Sequence, residues 1–252
     1  MEIGAQFYTI REFCKTPEDF ALSLKKVADI GYKTVQISGT CAYEPEWLAA
    51  ELKKNDLRCV ITHIAADKLT GDPVQVAKDH DVFGCDYVGL GAYFGFKPGD
   101  DLTGSVENFA NTYKPVAQAL RDNGKYFMYH NHDMEFQHIG GKPIFELISE
   151  IMAPDEMGFT LDTYWVQVGG GDPAWWIDKL AGRLPCIHLK DCGYGRRMEA
   201  VGEGNINFDS VFKAAEAAGT KFMLVEQDNC NGDDPFDCLK RSYDFLHAHG
   251  FN

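Results

Sequence analysis

Eight short runs rich in β-forming residues alternate with longer helix-compatible segments along this chain, and that alternation sharply limits its possible folds. The predicted strands are Ile3–Tyr8, Thr34–Ile37, Arg58–Thr62, Tyr87–Leu90, Tyr126–Tyr129, Gly158–Leu161, Cys186–Leu189 and Phe222–Val225. Between them, apolar residues recur at three- and four-residue steps, as in Phe20, Leu24, Val27 and Ala28, with Gly31 placed as a C-terminal stop. Pro17, Pro73, Pro143, Pro173 and Pro235 each fall near an expected helix start, where a missing N–H costs least. Eight such units in 252 residues predict an α/β fold, a (β/α)8 TIM barrel forming one domain over residues 1–252. A doubly wound open sheet would be expected to show a Gly-rich turn after its first strand. That place holds Tyr8-Thr9-Ile10-Arg11-Glu12.

Composition excludes several classes of partner. Hydrophobic residues make up 45% of the chain, enough for a packed core and too many for a disordered one. No apolar run is long enough to span a bilayer. The opening Met1-Glu2-Ile3-Gly4-Ala5-Gln6 lacks the basic and apolar stretches of a secretion signal, so a cytoplasmic location is expected. With 24 Lys and Arg against 38 Asp and Glu, the net charge is −14, the wrong sign for displacing counterions from nucleic acid. A small sugar or similar metabolite is the expected partner. Eight cysteines with no Cys-x-x-Cys spacing are expected to be reduced thiols. Association into a homo-oligomer is compatible with the sequence but not specified by it.

A barrel brings the carboxyl ends of its strands to one mouth, and here those ends are rich in ligating groups. Strand three ends in His63, strand five runs into His130-Asn131-His132-Asp133, and strand six ends in Asp162. Strand seven carries His188 with Lys190 and Asp191 beyond, and strand eight leads to Glu226-Gln227-Asp228. Strand two ends near Gln36 and strand four near Gly91-Ala92, neither offering a ligand. The remaining histidines, His80, His138, His247 and His249, are expected at the surface. Taken singly, each mouth residue has a plain structural explanation: a hydrogen-bonded His, an Asp162 that caps the next turn, a Glu226 in a rim salt bridge. Together, imidazole and carboxylate form a mixed N/O set suited to Zn, Mn, Fe or Co.

Weaker signals surround this set. Gly169-Gly170-Gly171-Asp172-Pro173 reads either as an anion cradle or as a turn in which Asp172 caps the next helix. Tyr8, Tyr93, Phe94, Phe136 and Trp165 follow strands and could stack on a sugar face or simply pack. Cys192–Asn207 reads as a long polar loop at the catalytic rim.

Several segments, in order, resemble the xylose-isomerase-like barrel superfamily, and within it the sugar phosphate isomerase/epimerase group. They are Gly4-Ala5-Gln6-Phe7-Tyr8-Thr9-Ile10-Arg11, Tyr129-His130-Asn131-His132-Asp133-Met134-Glu135-Phe136 and Leu161-Asp162-Thr163-Tyr164-Trp165. Arg183-Leu184-Pro185-Cys186-Ile187-His188-Leu189-Lys190-Asp191, Gly202-Glu203-Gly204-Asn205-Ile206-Asn207-Phe208 and Val225-Glu226-Gln227-Asp228 complete the series. The resemblance implies a divalent metal ion (Mn, Zn, Mg, Co or Fe) held by Asp162, His188 and Glu226 together with a residue at the end of strand five. Where the family commonly has Glu, this chain reads His130-Asn131-His132, resembling a Tyr-His-Asn-His subset. His130 is assigned to the slot, with His132 as the next candidate.

The resemblance further implies an isomerase or epimerase that moves a proton on a sugar or keto-polyol through an enediolate. Glu226 is the expected base, with His132 or His63 as the opposing acid or donor to a substrate oxygen. Lys190 is expected to meet developing negative charge, and Asp191 to orient Lys190 or His188. Tyr8, Trp165, Asp191 and Asn131 are the expected substrate contacts. The nearest alternative is a lyase or dehydratase acting on an inosose or a 3-keto-glycoside. A non-catalytic sugar-binding or partner subunit, and a metal-dependent nuclease on a related barrel, come after it.

Overall fold

The computed structural model describes residues 1–96, 99 and 101–252. Eight parallel strands close on themselves: β1 (Glu2–Gln6), β2 (Thr34–Ile37), β3 (Arg58–His63), β4 (Tyr87–Leu90), β5 (Tyr126–His130), β6 (Met157–Asp162), β7 (Cys186–Leu189) and β8 (Phe222–Val225). Neighbours in sequence pair in space, and β8 pairs with β1 through Phe222 opposite Glu2 to complete the cylinder. The expected TIM barrel is therefore the observed fold.

The two-residue period of a strand decides what each position does. In β5 to β8 one parity places Phe127, Tyr129, Phe159, Leu161, Ile187, Leu189, Met223 and Val225 in the main apolar core. The other parity points into the cylinder, where Met128, Cys186 and Leu224 pack with Val60 and Ile61. Continued one step toward the mouth, that inward parity reaches His130, His188 and Glu226. An apolar plug thus forms the floor beneath the polar site.

Pro17, Pro73, Pro173 and Pro235 occupy first-turn positions of helices, as expected. Pro143 also lies at a helix start, as the residue immediately preceding helix Ile144–Ile151, and belongs in addition to a small antiparallel pair, His138–Ile139 with Lys142–Pro143. The first strand also ends earlier than predicted, at Gln6. Its side-chain Oε1 accepts from the Tyr8 amide and turns the chain into a short helix, Phe7–Phe13. The eight cysteines are free, and among the described residues no helix is long and apolar enough to cross a membrane.

His80 is buried, contrary to the surface position expected, while His138, His247 and His249 are exposed. It lies on the inner face of helix Pro73–Val82, where Nδ1–H donates to the Val76 carbonyl at 2.7 Å. Nε2 then accepts from the Thr62 hydroxyl, also at 2.7 Å. Burial is the main force lowering its pKa from 6.5 to about 4. The unfolded chain therefore binds the extra proton between those values, and stability due to neutral His80 is present above pH 6.5 and lost as pH falls toward 4. We expect that loss to reach about 3 kcal/mol. Urea unfolding of wild type and His80→Gln across this range should show their stability difference shrinking as pH drops. A pH-independent difference would refute the assignment.

Candidate metal centre and active site

Four buried side chains from consecutive barrel strands converge in the mouth: His130 closing β5, Asp162 closing β6, His188 in β7 and Glu226 just past β8. Each offers one ligand atom, and these atoms all lie within 4.8 Å of one another. The remaining atoms of the same side chains hold the set in place. His130 donates from Nδ1 to the Gly91 carbonyl at 2.9 Å, leaving Nε2 toward Asp162 Oδ2 at 3.4 Å. His188 donates from Nε2 to Gln36 Oε1 at 2.7 Å, leaving Nδ1 facing Glu226 Oε2 at 2.9 Å and Asp162 Oδ2 at 3.7 Å. Asp162 serves both roles considered from sequence. Its Oδ1 caps the following helix by accepting from the Trp165 amide at 2.9 Å, while Oδ2 joins the cluster.

These residues fit a divalent cation. His188 Nδ1 and Glu226 Oε2 are buried 2.9 Å apart without hydrogen-bond geometry between them, so only an ion pair engages them until a cation does. The donor set of two imidazoles and two carboxylates suits a borderline metal ion. The fixed outer hydrogen bonds to Gly91 and Gln36 supply the tautomer control that metal-binding histidines need. Gln36, which offers no ligand, thus acts one step behind His188. Replacing it with Leu should lower metal affinity about 10–100-fold. Calorimetric titration with Mn(II) would measure this, and unchanged affinity would remove Gln36 from that role.

Lys190 extends the constellation. Its buried ammonium lies 2.6 Å from Asp228 Oδ2, 3.6 Å from Glu226 Oε2 and 3.7 Å from Asp162 Oδ2. Burial works against its charge, but the Glu226, Asp162 and Asp228 carboxylates outweigh it and hold the ammonium above its usual range. Conversely, burial would raise Asp162 and Glu226, and the Lys190 charge with the neighbouring imidazoles holds both well below ordinary carboxylates. His188 is pushed up to about 9, as Glu226 and Asp162 overcome the burial that opposes its charge. For His132 the balance runs the other way: burial, then His130 and Lys190, lower it to about 3. Burial with His130 and His188 alongside likewise keeps His63 neutral.

The mouth opens into a cavity of about 410 Å³ lined by Tyr8, His63, His130, His132, Lys190, Glu226 and Asp228 among others. The His63 ring lies tilted beside those of His130 and His188, with centroids 5.2 and 5.6 Å away. Its seat depends on Gly89 and Gly91, since a Cβ at either would approach the imidazole to 2.8 or 2.9 Å. Strand four contributes space rather than a ligand. His132 is not a member of the four-residue cluster. It sits against His130 and Trp165, with Nδ1 unpartnered. Trp165 also lies beneath the Lys190 ammonium, 4.9 Å from ring centroid to Nζ. Asn131 Oδ1 accepts from the Asp162 amide, so its oxygen holds β5 to β6 instead of facing a substrate.

Asp191 departs from expectation. One residue beyond inward-facing Lys190, it points the other way and orients neither Lys190 nor His188. Its Oδ1 accepts from the amides of Cys192 and Ile206, and its Oδ2 from those of Gly202 and Gly204. A Cβ at Gly204 would come within 2.4 Å of that carboxylate. The Cys192–Asn207 segment is correspondingly less irregular than predicted, since Asp191–Cys192 pairs with Met198–Glu199 as a short hairpin. Tyr93 and Phe136 also leave the candidate substrate contacts. Tyr93 packs against Phe96 and Phe109, and Phe136 against Phe145 and Trp176. Asp172 is a helix cap, accepting from the Trp175 amide. One supporting group was given no role from sequence although it lies within the Tyr129–Phe136 segment: buried Glu135, which receives the Tyr129 hydroxyl and the His132 amide and is pushed up by burial to about 7.

The sequence model of the xylose isomerase-like TIM barrel family matches residues 24–249. The chain belongs to that family. No curated protein sequence matches it. Among solved structures, a sugar phosphate isomerase/epimerase from Parabacteroides distasonis is 21% identical with a TM-score of 0.84, over 98% of this chain and 93% of that one. An L-ribulose 3-epimerase is 16% identical with a TM-score of 0.77, over 98% and 94%. A probable 3-DHS dehydratase from Bacillus anthracis is 17% identical with a TM-score of 0.75, over 98% and 99%. At these identities the likeness establishes the shared barrel.

Proposed function

We propose that this member of the xylose isomerase-like family is a metal-dependent isomerase or epimerase of a sugar or keto-polyol. The observation that carries the reading is the convergence of His130, Asp162, His188 and Glu226 on one point at the barrel mouth. When bound there, a divalent ion supplies Lewis-acid polarisation of a substrate oxygen. Glu226 both belongs to the cluster and lines the cavity, which suits it to take the proton next to a substrate carbonyl. His132 and His63, held neutral, serve as hydrogen-bond donors to substrate oxygens in preference to cationic acids. Lys190 keeps Asp162 and Glu226 ionised and counters negative charge that develops on proton loss. Tyr8 and Trp165 provide aromatic faces at the rim.

A second reading has a specific observation in its favour. His130 stands where the family commonly has a carboxylate, so the paired-Glu arrangement of many epimerases is lacking, as in the Tyr-His-Asn-His subset that the chain resembles. One base with flanking imidazoles suits elimination from an inosose or a 3-keto-glycoside equally well. The probable dehydratase with the same barrel is consistent with this.

The discriminating experiment incubates Mn(II)-loaded protein in D2O with a panel of ketoses, inososes and 3-keto-glycosides. Deuterium incorporation without release of water or aglycone supports the isomerase reading, and stoichiometric release supports the lyase. Absence of both, across the panel and with Zn(II), Co(II) or Fe(II), would overturn the proposal.

A further inference from the structure

The charge arrangement of the cavity carries an inference about what enters it, resting on the sugar-directed reading above. Among the described residues lining the cavity, Lys190 is the one Lys or Arg, and its ammonium is already shared by Asp162, Glu226 and Asp228. Arg11 at the rim is committed as well. Its guanidinium donates to the backbone carbonyls of Tyr8 and Asp228 at 2.8 and 3.0 Å and lies over the Tyr8 ring. Three carboxylates face one ammonium, and a divalent ion in the cluster would complete the balance. Among the described residues lining the cavity, no positive charge is left over for a phosphate.

Asp228 also has an unused acceptor. Oδ2 is held on Lys190, while Oδ1 is buried without a hydrogen-bond partner in a residue that lines the cavity. An acceptor so placed matches a hydroxyl donor and repels an anion. We propose that Asp228 is a specificity-determining substrate contact, accepting a hydroxyl through Oδ1, and that the site takes an uncharged polyhydroxy substrate rather than a sugar phosphate.

The test pairs a hexitol with its 6-phosphate in calorimetric binding to Mn(II)-loaded protein, alongside turnover of a ketohexose and its 6-phosphate. Wild type should bind the hexitol about a hundredfold more tightly than the phosphate, because the phosphate meets the unpartnered Asp228 carboxylate oxygen and finds Lys190 already paired. Asp228→Ala and Asp228→Asn should each weaken hexitol binding about tenfold and narrow the discrimination. Both variants leave Lys190 beside Asp162 and Glu226, and the Asn variant preserves shape. Tighter binding of the phosphate by wild type would overturn the inference, most directly if Lys68→Ala abolished it, since Lys68 lines the adjoining cleft. Discrimination unchanged in both Asp228 variants would overturn it too, as would a failure to bind either polyol. Charge-selective binding without proton exchange would sink the isomerase reading and leave this inference standing. Preferred turnover of the phosphate would do the reverse.

Discussion

Glu226→Gln should abolish most turnover while leaving the barrel folded. Removing a general base typically costs about 10²–10⁴-fold in rate, and loss of a charged ligand adds weaker metal retention. The fold has reasons to tolerate the change. Gln is nearly isosteric, Lys190 keeps Asp228 at 2.6 Å and Asp162 at 3.7 Å, and His188 can give up its proton once Glu226 no longer stabilises it. The thermal midpoint of metal-free protein should therefore fall by less than in an Asp162 variant that loses its helix cap as well. Metal content, kcat on the responsive substrate and the midpoint together decide the matter. Turnover at the wild-type level would remove Glu226 from the base role.

Asp162→Ala should lose more stability, and metal with it. Asp162 is a counter-ion to buried Lys190, a neighbour of His188 and the cap of the helix that follows β6. Stripping one partner from buried charges typically costs about 3–5 kcal/mol. Loss of a side-chain cap contributes about 1 kcal/mol of destabilisation on its own. Asp162→Asn separates the two effects, because the amide oxygen can still accept from the Trp165 amide while the charge is gone. Urea unfolding in chelator should place the Asn variant between wild type and Ala. Equal stability of all three proteins would end the counter-ion account.

Much of the site was legible because barrel geometry converts strand ends into neighbours. His63, His130, Asp162, His188, Lys190 and Glu226 needed only correct strand boundaries to be placed at one mouth. What escaped depended on partners far away in sequence. His80 has the spacing of a helical face, but its burial follows from the Thr62 hydroxyl waiting on β3. Gln36 gains its role from His188, 152 positions away. Tyr93 and Phe136 looked like rim aromatics because a strand preceded them, but Phe109, Phe145 and Trp176, against which they pack, lie in helices that cover the barrel. Asp191 is different, for a signal was present. If Lys190 continues the inward parity of β7, its neighbour must face outward, away from any substrate.

That outward carboxylate has one more consequence. A rim segment as long as residues 192–207 would ordinarily trade its amide hydrogens with deuterium from the solvent quickly. Here the Cys192, Gly202, Gly204 and Ile206 amides all end on Asp191. Mass spectrometry of isotope uptake should find these slow sites bracketing a fast tip around exposed Tyr194. To that measurement the segment would behave as a knot tied at its base, rigid where it meets the barrel and free only at its crest.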